Sequence, residues 1–365
     1  MKNYFWKNKS IFITGHTGFK GSWLTLILKN LGANIYGYAL NPSTNPNFFD
    51  GLKLGNFLNK DFREDILDYK KLVKAIIKAK PDMLFHLAAQ SSVLESYNNP
   101  AATVSTNVIG TVNVLEAVRK VKSIQSVIIV TTDKVYQNLE DGIPFKEDSV
   151  LGGHDIYSSS KASCEILTQS YIKSFFFNKK CNVATVRSGN CIGGGDWTKD
   201  RIIRDCAESF SKNKPLIIRN PNSTRPWQHV IEPLFGYLRL AEKLYLSKNK
   251  KFVGSWNFGP NRKNLKVLDL ANIGKKIFKS KSRIIINKSS KEFYESKYLA
   301  LNSKKAMDKL RWKIMLSNKL SLQFTFDWFK NFYKKKNKNK KYLIDFSIKQ
   351  IEEYKKILLK NKINI

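Results

Sequence analysis

Short apolar, β-branched runs alternate with helix-length segments through the first half of the chain. "SIFITG" (10–15) reads as a strand, 20–31 as a helix and "NIYGYAL" (34–40) as a second strand, with a weaker one near 57–63. "KLVKAIIKA" (71–79) follows as a helix, then "DMLFHLAA" (82–89) as a strand and about 101–120 as a helix ending in basic residues. "SVIIVTT" (126–132) is nearly continuous in apolar residues, as a strand buried on both faces should be. A helix from 157 and a strand at "NVATVRSG" (182–189) complete the series. This alternation predicts an α/β fold with a Rossmann-like, doubly wound parallel sheet.

Beyond about residue 190 the pattern loosens into loops rich in Gly, Asp, Trp, Arg and Pro, which predicts a smaller C-terminal substrate-binding lobe. The expected division is a nucleotide-binding domain at 1–189 with a returning segment near 228–260. A substrate lobe would take 190–227 and 261–330, and a basic helical tail 331–365. No internal repeat is present, and the one low-complexity segment is the lysine run near 334–341.

Composition narrows the classes. With 365 residues and 42% hydrophobic content, the chain can bury a sizeable core. No apolar run approaches the roughly 18–20 residues of a membrane helix. The start "MKNYFWKNKSIFITG" has no signal-peptide h-region, so a cytoplasmic location is expected. Cys164, Cys181, Cys191 and Cys206 form no CxxC pair and the four histidines do not cluster, so no metal site is expected. The formal charge of +35 favours anionic partners. Lysine nevertheless crowds with Asn and Ile throughout, as in "KKKNKNKKY", and no nucleic-acid-binding motif accompanies it. Nucleic acid is therefore not an expected partner.

The stretch "TGHTGFKGSW" places Gly15, Gly18 and Gly21 three residues apart at the first strand–helix junction. Such a turn lets a pyrophosphate sit on backbone N–H groups at the positive end of a helix. The acid that usually holds the adenosine ribose is missing, because no Asp or Glu lies between Gly21 and Asp50. No Arg stands there either, which leaves NAD and NADP both open.

"YSSSK" sets Tyr157 and Lys161 one helical turn apart, on a shared face. Tyrosine is a weak base at its ordinary pKa of about 10. A neighbouring ammonium group would favour the phenolate and let Tyr157 accept a substrate proton. "TTDK" (131–134) lies where the fifth strand ends, at the sheet edge where ligands bind. Asp133 and Lys134 can both face a ligand only if that strand stops near Thr132.

From residue 10 to about 260 the chain resembles the extended short-chain dehydrogenase/reductase superfamily, and within it the CDP-glucose 4,6-dehydratase family. The matching stretches include "GHTGFKGSWL", "FHLAAQ", "TNVIGTVNVLEAV", "TTDKVY", "LGGHDIYSSSKA", "SGNCIGGGDW", "NPNSTRPWQHVIEPL" and "WNFGP". "TTDK" and "GGGDW" are the most specific of these; dTDP-glucose dehydratases carry Asp-Glu where this chain has Asp133-Lys134. The resemblance implies a hydro-lyase with bound NAD, acting on a nucleoside-diphosphate hexose, CDP-glucose first, in deoxysugar and O-antigen lipopolysaccharide synthesis. Tyr157 would deprotonate the sugar 4-hydroxyl, positioned by Thr132. Lys134 would remove the C5 proton, and Asp133 would protonate the departing C6 hydroxyl. That scheme needs opposed pKa shifts, Lys134 down and Asp133 up.

The resemblance further implies cofactor contacts from Gly15, Thr17, Gly18, Phe19, Lys20, Gly21, Asp65, Ile66, Ala88, Ala89 and Gln90, with Thr132, Tyr157 and Lys161. Asn107 would support the helix behind Tyr157. Asn190, Asp196, Trp197, Arg201, Arg219 and Arg225 would meet the nucleotide diphosphate, whereas Trp227 and His229 read equally as core. A homo-oligomer, dimer or tetramer, is expected. One departure bears on the substrate, since Leu94 and Glu95 stand where the family carries two arginines. The alternatives are another nucleotide-sugar 4,6-dehydratase, a 4-epimerase, or a non-catalytic NAD-binding sensor.

Overall fold

Runs that are apolar on both faces become the central strands of a seven-stranded parallel sheet. Its strands are β1 (Ser10–Thr14), β2 (Asn34–Tyr38), β3 (Lys60–Phe62), β4 (Met83–His86), β5 (Ser126–Val130), β6 (Asn182–Arg187) and β7 (Gly254–Asn257), in the computed structural model. The structure describes residues 4–260, 264–287, 298–334 and 340–363. The strands lie in the order β7-β6-β5-β4-β1-β2-β3, so the winding reverses between β1 and β4. Thr14 pairs with His86 at that junction, and Val130 with Val186 two strands along.

Helices cover both faces. α1 (Phe19–Asn30) and α5 (Ile231–Leu246) pack on one side, α2 (Tyr69–Ala79) and α3 (Gly110–Lys120) on the other, each within its own buried cluster. The helix expected at 101–120 is interrupted by a π turn at Ser105–Ile109, which turns Asn107 into the interior. α4 (Ile156–Tyr171) begins at Asp155, whose carboxylate accepts the Ser158 N–H at 2.8 Å. Three two-stranded sheets follow β6 in sequence, pairing Cys191–Ile192 with Gln228–His229, Thr224–Arg225 with Leu265–Lys266, and Leu216–Ile218 with Ile284–Ile286.

The lysine run near 334–341 lies largely outside the described residues. On either side of it, α6 (Asn318–Lys334) and α7 (Lys340–Lys360) form a further layer of core. Trp328 is fully buried, stacks on Phe48 with centroids 5.5 Å apart, and donates its indole N–H to Ser347 Oγ at 2.8 Å. Ile351 and Tyr354 of α7 are equally buried. Gly194 of "GGGDW" is required by this contact, because a Cβ there would lie 2.0 Å from Trp328 Cγ.

Two interior histidines make the fold sensitive to acid. His86 Nδ1 bonds Thr14 Oγ1 at 2.7 Å and its Nε2 bonds Thr111 Oγ1 at 3.1 Å, while His229 sits between the rings of Trp23 and Phe324. Burial pulls both down to about 3. Their folded pKa lies below the unfolded value of about 6.5, so the stability they hold is complete above that value and is lost as pH falls toward 3. Below pH 6.5 each histidine should remove about 1.4 kcal/mol per pH unit. Urea titrations from pH 7.5 to 4.5 should show this slope, and His229→Asn should lessen it by one histidine's share; equal slopes in both proteins would contradict it.

Candidate active site

A cavity of about 1070 Å³ opens at the carboxyl edge of the sheet, where the strand order reverses. Its size suits two extended ligands lying end to end. One wall is the turn from Gly15 to Gly21. Gly15 has φ +73°, and a Cβ there would lie 2.5 Å from Ala88 N; at Gly21 a Cβ would lie 2.1 Å from Gly15 O. Gly18 is uncrowded and leaves bare backbone, and α1 starts there with no side-chain cap. The first N–H groups of a helix that starts this way suit an anion.

Thr17, Phe19 and Lys20 also line this wall, with Asp65, Ile66, Ala88 and Ala89 beside it. After β2 the wall is Leu40 to Ser43, without an acid. The nearest strand carboxylate, Asp61, is held by His16 Nε2 and Arg63 Nη2, each at 2.9 Å, and does not reach the cavity.

Two residues expected at the cofactor do not line the cavity. Gln90 turns its amide away, donating to Ser92 O and Thr103 Oγ1 at 2.9 Å each. Asn107 accepts Gln90 N–H at 2.9 Å and donates to Gln90 O and Ser160 Oγ. Gln90 ties the loop after β4 to the helical segment at Pro100–Val104 and Asn107 ties it to α4, so both shape the wall from behind.

The fifth strand stops at Val130, and Asp133–Val135 form a short helical turn whose Lys134 N–H points to Thr132 Oγ1 at 3.4 Å. That break lets both Asp133 and Lys134 line the cavity. Asp133 is only 3% exposed; its Oδ1 accepts the Thr132 hydroxyl at 3.1 Å, and Oδ2 is buried without a partner. Burial pushes the Asp133 carboxyl up, against the pull of Lys134. This is the direction an acid needs to keep its proton.

Tyr157 and Lys161 enter from the first two turns of α4. The phenol is hydrogen-bonded to Thr132, yet burial raises its pKa overall. Lys161, one turn further along the same helix, is buried as well. Lys161 donates to Val130 O at 2.8 Å and is itself pulled down by burial. Lys20 and Arg201 both favour the Tyr157 phenolate, against burial. Backbone capture of Lys161 was not visible in the spacing alone.

Beyond β6, Asn190, Asp196, Trp197, Arg201, Arg219 and Arg225 all line the cavity. Asp196 caps a turn, its Oδ1 accepting both the N–H and the hydroxyl of Thr198. Trp197 is 5% exposed and packs edge-on against Trp328 and Phe329. Arg219 reaches Asp200 at 3.5 Å across the open rim. His229 is core, whereas Trp227 lines the cavity and donates to Leu265 O.

Sequence reasoning missed Ser188, Gly189, and the Glu165–Arg187 pair beneath Thr131. The signal for Glu165 was present, since it lies one further turn along the face that carries Tyr157 and Lys161.

The sheet order and the cavity at its switch point define a Rossmann-like protein of the extended short-chain dehydrogenase/reductase type. The model of the GDP-mannose 4,6 dehydratase family matches residues 12–323, and the chain belongs to that family. It is 46% identical to a CDP-glucose 4,6-dehydratase of Salmonella typhimurium over 270 residues, covering 73% of this chain and 75% of that protein. Among solved structures it is similar to an epimerase of Methanothermobacter thermautotrophicus, with TM-score 0.78 and 22% identity over 91% of this chain and 95% of the other. A dTDP-glucose 4,6-dehydratase of Bacillus anthracis, solved in complex with NAD, gives TM-score 0.74 and 22% identity over 88% and 97%.

Gly189 offers a direct test of the site. A Cβ there would lie 2.8 Å from Asp133 Oδ2, the end of a side chain that can swing aside. Gly189→Ala should therefore cost less than about 1 kcal/mol of stability while lowering turnover at least about tenfold through a displaced carboxyl. Unchanged kcat together with a shifted urea midpoint would reverse the assignment.

Proposed function

We propose that the protein is an NAD-dependent hydro-lyase that dehydrates a nucleoside-diphosphate hexose, CDP-glucose first, to its 4-keto-6-deoxy form. The observation that carries this reading is Asp133: a buried carboxyl with a raised pKa, beside Lys134, at the strand end that also presents Thr132 to Tyr157. A 4-epimerase needs no such acid. The 46% identity to a CDP-glucose 4,6-dehydratase supports the substrate class.

NAD fits the residues present. The glycine turn and the uncapped start of α1 suit a pyrophosphate. The wall from Leu40 to Ser43 carries no cation, which favours an unphosphorylated ribose. When bound, NAD supplies the acceptor for the C4 hydride and returns that hydride to C6.

This chain's residues then manage protons. Thr132 orients the 4-hydroxyl, and Tyr157 accepts its proton. The C4 ketone acidifies C5–H, which Lys134 removes, while Asp133 gives its proton to the C6 oxygen as water leaves; the Lys134 ammonium then returns a proton to C5 as the hydride reaches C6. Arg201 and Arg225 suit the diphosphate, because a guanidinium fork donates paired hydrogen bonds. Trp197 serves packing of this lobe more than recognition, given its burial against Trp328. The product class belongs to deoxysugar and surface-polysaccharide synthesis in the cytoplasm. The four free thiols are in keeping with that compartment, and no helix among the described residues is long and apolar enough to cross a membrane. Val104, Ile109 and Ile166, exposed and apolar on neighbouring helical segments, suit a homo-oligomer, which sedimentation at micromolar protein would refute by finding only monomer.

Incubation with CDP-, dTDP-, UDP- and GDP-hexoses should give a 4-keto product with the CDP sugar. An epimer, or no product with any of the four, would defeat the reading. Lys134→Ala should complete the first oxidation yet stop there, leaving a persistent nicotinamide absorbance and no solvent deuterium at C5. Tyr157→Phe should stop before any absorbance change while still binding NAD. Should both variants halt at the same early point, Lys134 has a binding role instead.

A further inference from the structure

A dinucleotide held at the Gly15–Gly21 turn carries its adenosine ribose between the pyrophosphate and the adenine. A carboxylate at the end of the second strand usually takes the ribose hydroxyls. β2 has none there: its exit, Leu40 to Ser43, is neutral, and Asp61 of β3 is held outside the cavity by His16 and Arg63. The third strand nevertheless carries a second acid. Beyond Phe62 the chain stays paired with the exit of β2, Ala39 N–H donating to Phe62 O at 3.0 Å and Glu64 N–H to Ala39 O at 3.1 Å. This register sets Glu64 beside that exit, and Glu64 lines the cavity together with Leu40 and Ile66. Thr17 of the glycine turn joins the same corner, its hydroxyl donating to Leu40 O at 3.0 Å.

We propose that Glu64 is the residue that reads the adenosine 2′-hydroxyl and makes the site selective for NAD over its 2′-phosphorylated form. The role rests on dinucleotide binding at the glycine turn. The Glu64 carboxylate has capacity for it: Oε2 accepts Lys71 Nζ at 2.8 Å, and among the described residues Oε1 meets no donor. The adjacent Asp65 is more committed, since its Oδ1 accepts the Leu67 N–H at 2.9 Å and its carbonyl accepts the Tyr38 hydroxyl. The cations of this stretch, which a 2′-phosphate would need, are withheld. Lys71 is bound to Glu64 and lies 3.6 Å from Asp68, while Arg63 is bound to Asp61 over the Phe49 ring. Neither cation lines the cavity. A ribose hydroxyl can donate to the Glu64 carboxylate, whereas a phosphate in its place meets a like charge. The acid missing from the second strand is thereby supplied by the third.

The test is calorimetric titration of the full chain, freed of bound dinucleotide, with NAD, NADP and NAD lacking the adenosine 2′-hydroxyl; it needs no sugar nucleotide. The native protein should bind NAD at least about tenfold more tightly than either of the other two. E64A should weaken NAD about tenfold and leave the deoxy cofactor within about twofold, so that the two bind alike. It should also tighten NADP, because the like charge is gone and Lys71 is released. If E64A weakens NAD and the deoxy cofactor by the same factor, Glu64 is a structural support and the proposal is overturned. Native protein that binds NADP as tightly as NAD overturns it as well. If the native protein prefers NAD and E64A changes none of the three affinities, selectivity lies in other residues and this proposal alone falls. If the native protein binds no dinucleotide, the cofactor reading falls and takes the proposal with it.

Discussion

The arrangement of the site depends on one buried ion pair. Arg187 Nη2 meets Glu165 Oε2 at 2.8 Å with both side chains at most 2% exposed. Charges taken this far from water are costly unless further hydrogen bonds accompany the pair, and here they do at all but Arg187 Nε. Glu165 Oε1 accepts Thr131 Oγ1 at 2.5 Å, and Oε2 also accepts Thr185 and Ser255. Arg187 Nη1 donates to Tyr136 Oη and to Glu147 O, and Tyr136 in turn donates to Asn257 at 2.7 Å. The network thereby joins α4, the end of β5, β6, β7 and the turn that carries Asp133. Removing one partner would leave an uncompensated charge at a cost of about 3–5 kcal/mol. The relative placement of Tyr157, from α4, and Thr132, just after β5, is therefore set from behind the cavity by Glu165 and Arg187, which do not line it.

The fold was legible because its strands are buried on both faces. "SVIIVTT" and "NVATVRSG" have the near-continuous apolar character that only a covered parallel sheet demands, and both became central strands. The expected ends of β2 and β5 ran two residues long, since "AL" and "TT" leave the sheet as loop backbone lining the cavity. That exit carries function, because an extended strand would have sent Asp133 and Lys134 to opposite faces. The members of the site were largely legible through motifs. Their partnerships were not, because hydrogen bonds such as Lys161 to Val130 O and Lys20 to Ser188 join segments 31 and 168 residues apart. Spacing along a helix reveals which side chains share a face, not which of them finds a better partner across the fold.

Glycine motifs show how chemistry and packing share one sequence signal. In the first turn Gly15 and Gly21 are dictated by close backbone approach, and only Gly18 leaves backbone bare for an anion. In "GGGDW" packing dominates: Gly194 yields to Trp328 and Gly195, at φ +84°, to Phe48. Trp23 of α1 then donates its indole N–H to Gly194 O at 2.9 Å. A motif that reads as a ligand loop is also the joint between α1, the second lobe and the C-terminal helices.

That joint changes how the C-terminal region is understood. Its lysines suggest a solvated appendage, but Leu343, Ile351, Tyr354 and Leu358 are buried, with Tyr354 against Phe235 of α5 at 5.2 Å and Lys355 reaching Asn30 at the end of α1. Phe48 stacks between Trp23 and Trp328 and also lines the cavity, on the side of the wall after β2. Packing in the last fifty residues is thus transmitted through one aromatic stack to the surface proposed to meet the cofactor. Interiors are close-packed, so a change of even one methylene in that stack has to be absorbed by its neighbours. Beneath the lysines, the apolar face of these helices holds the cavity wall in place.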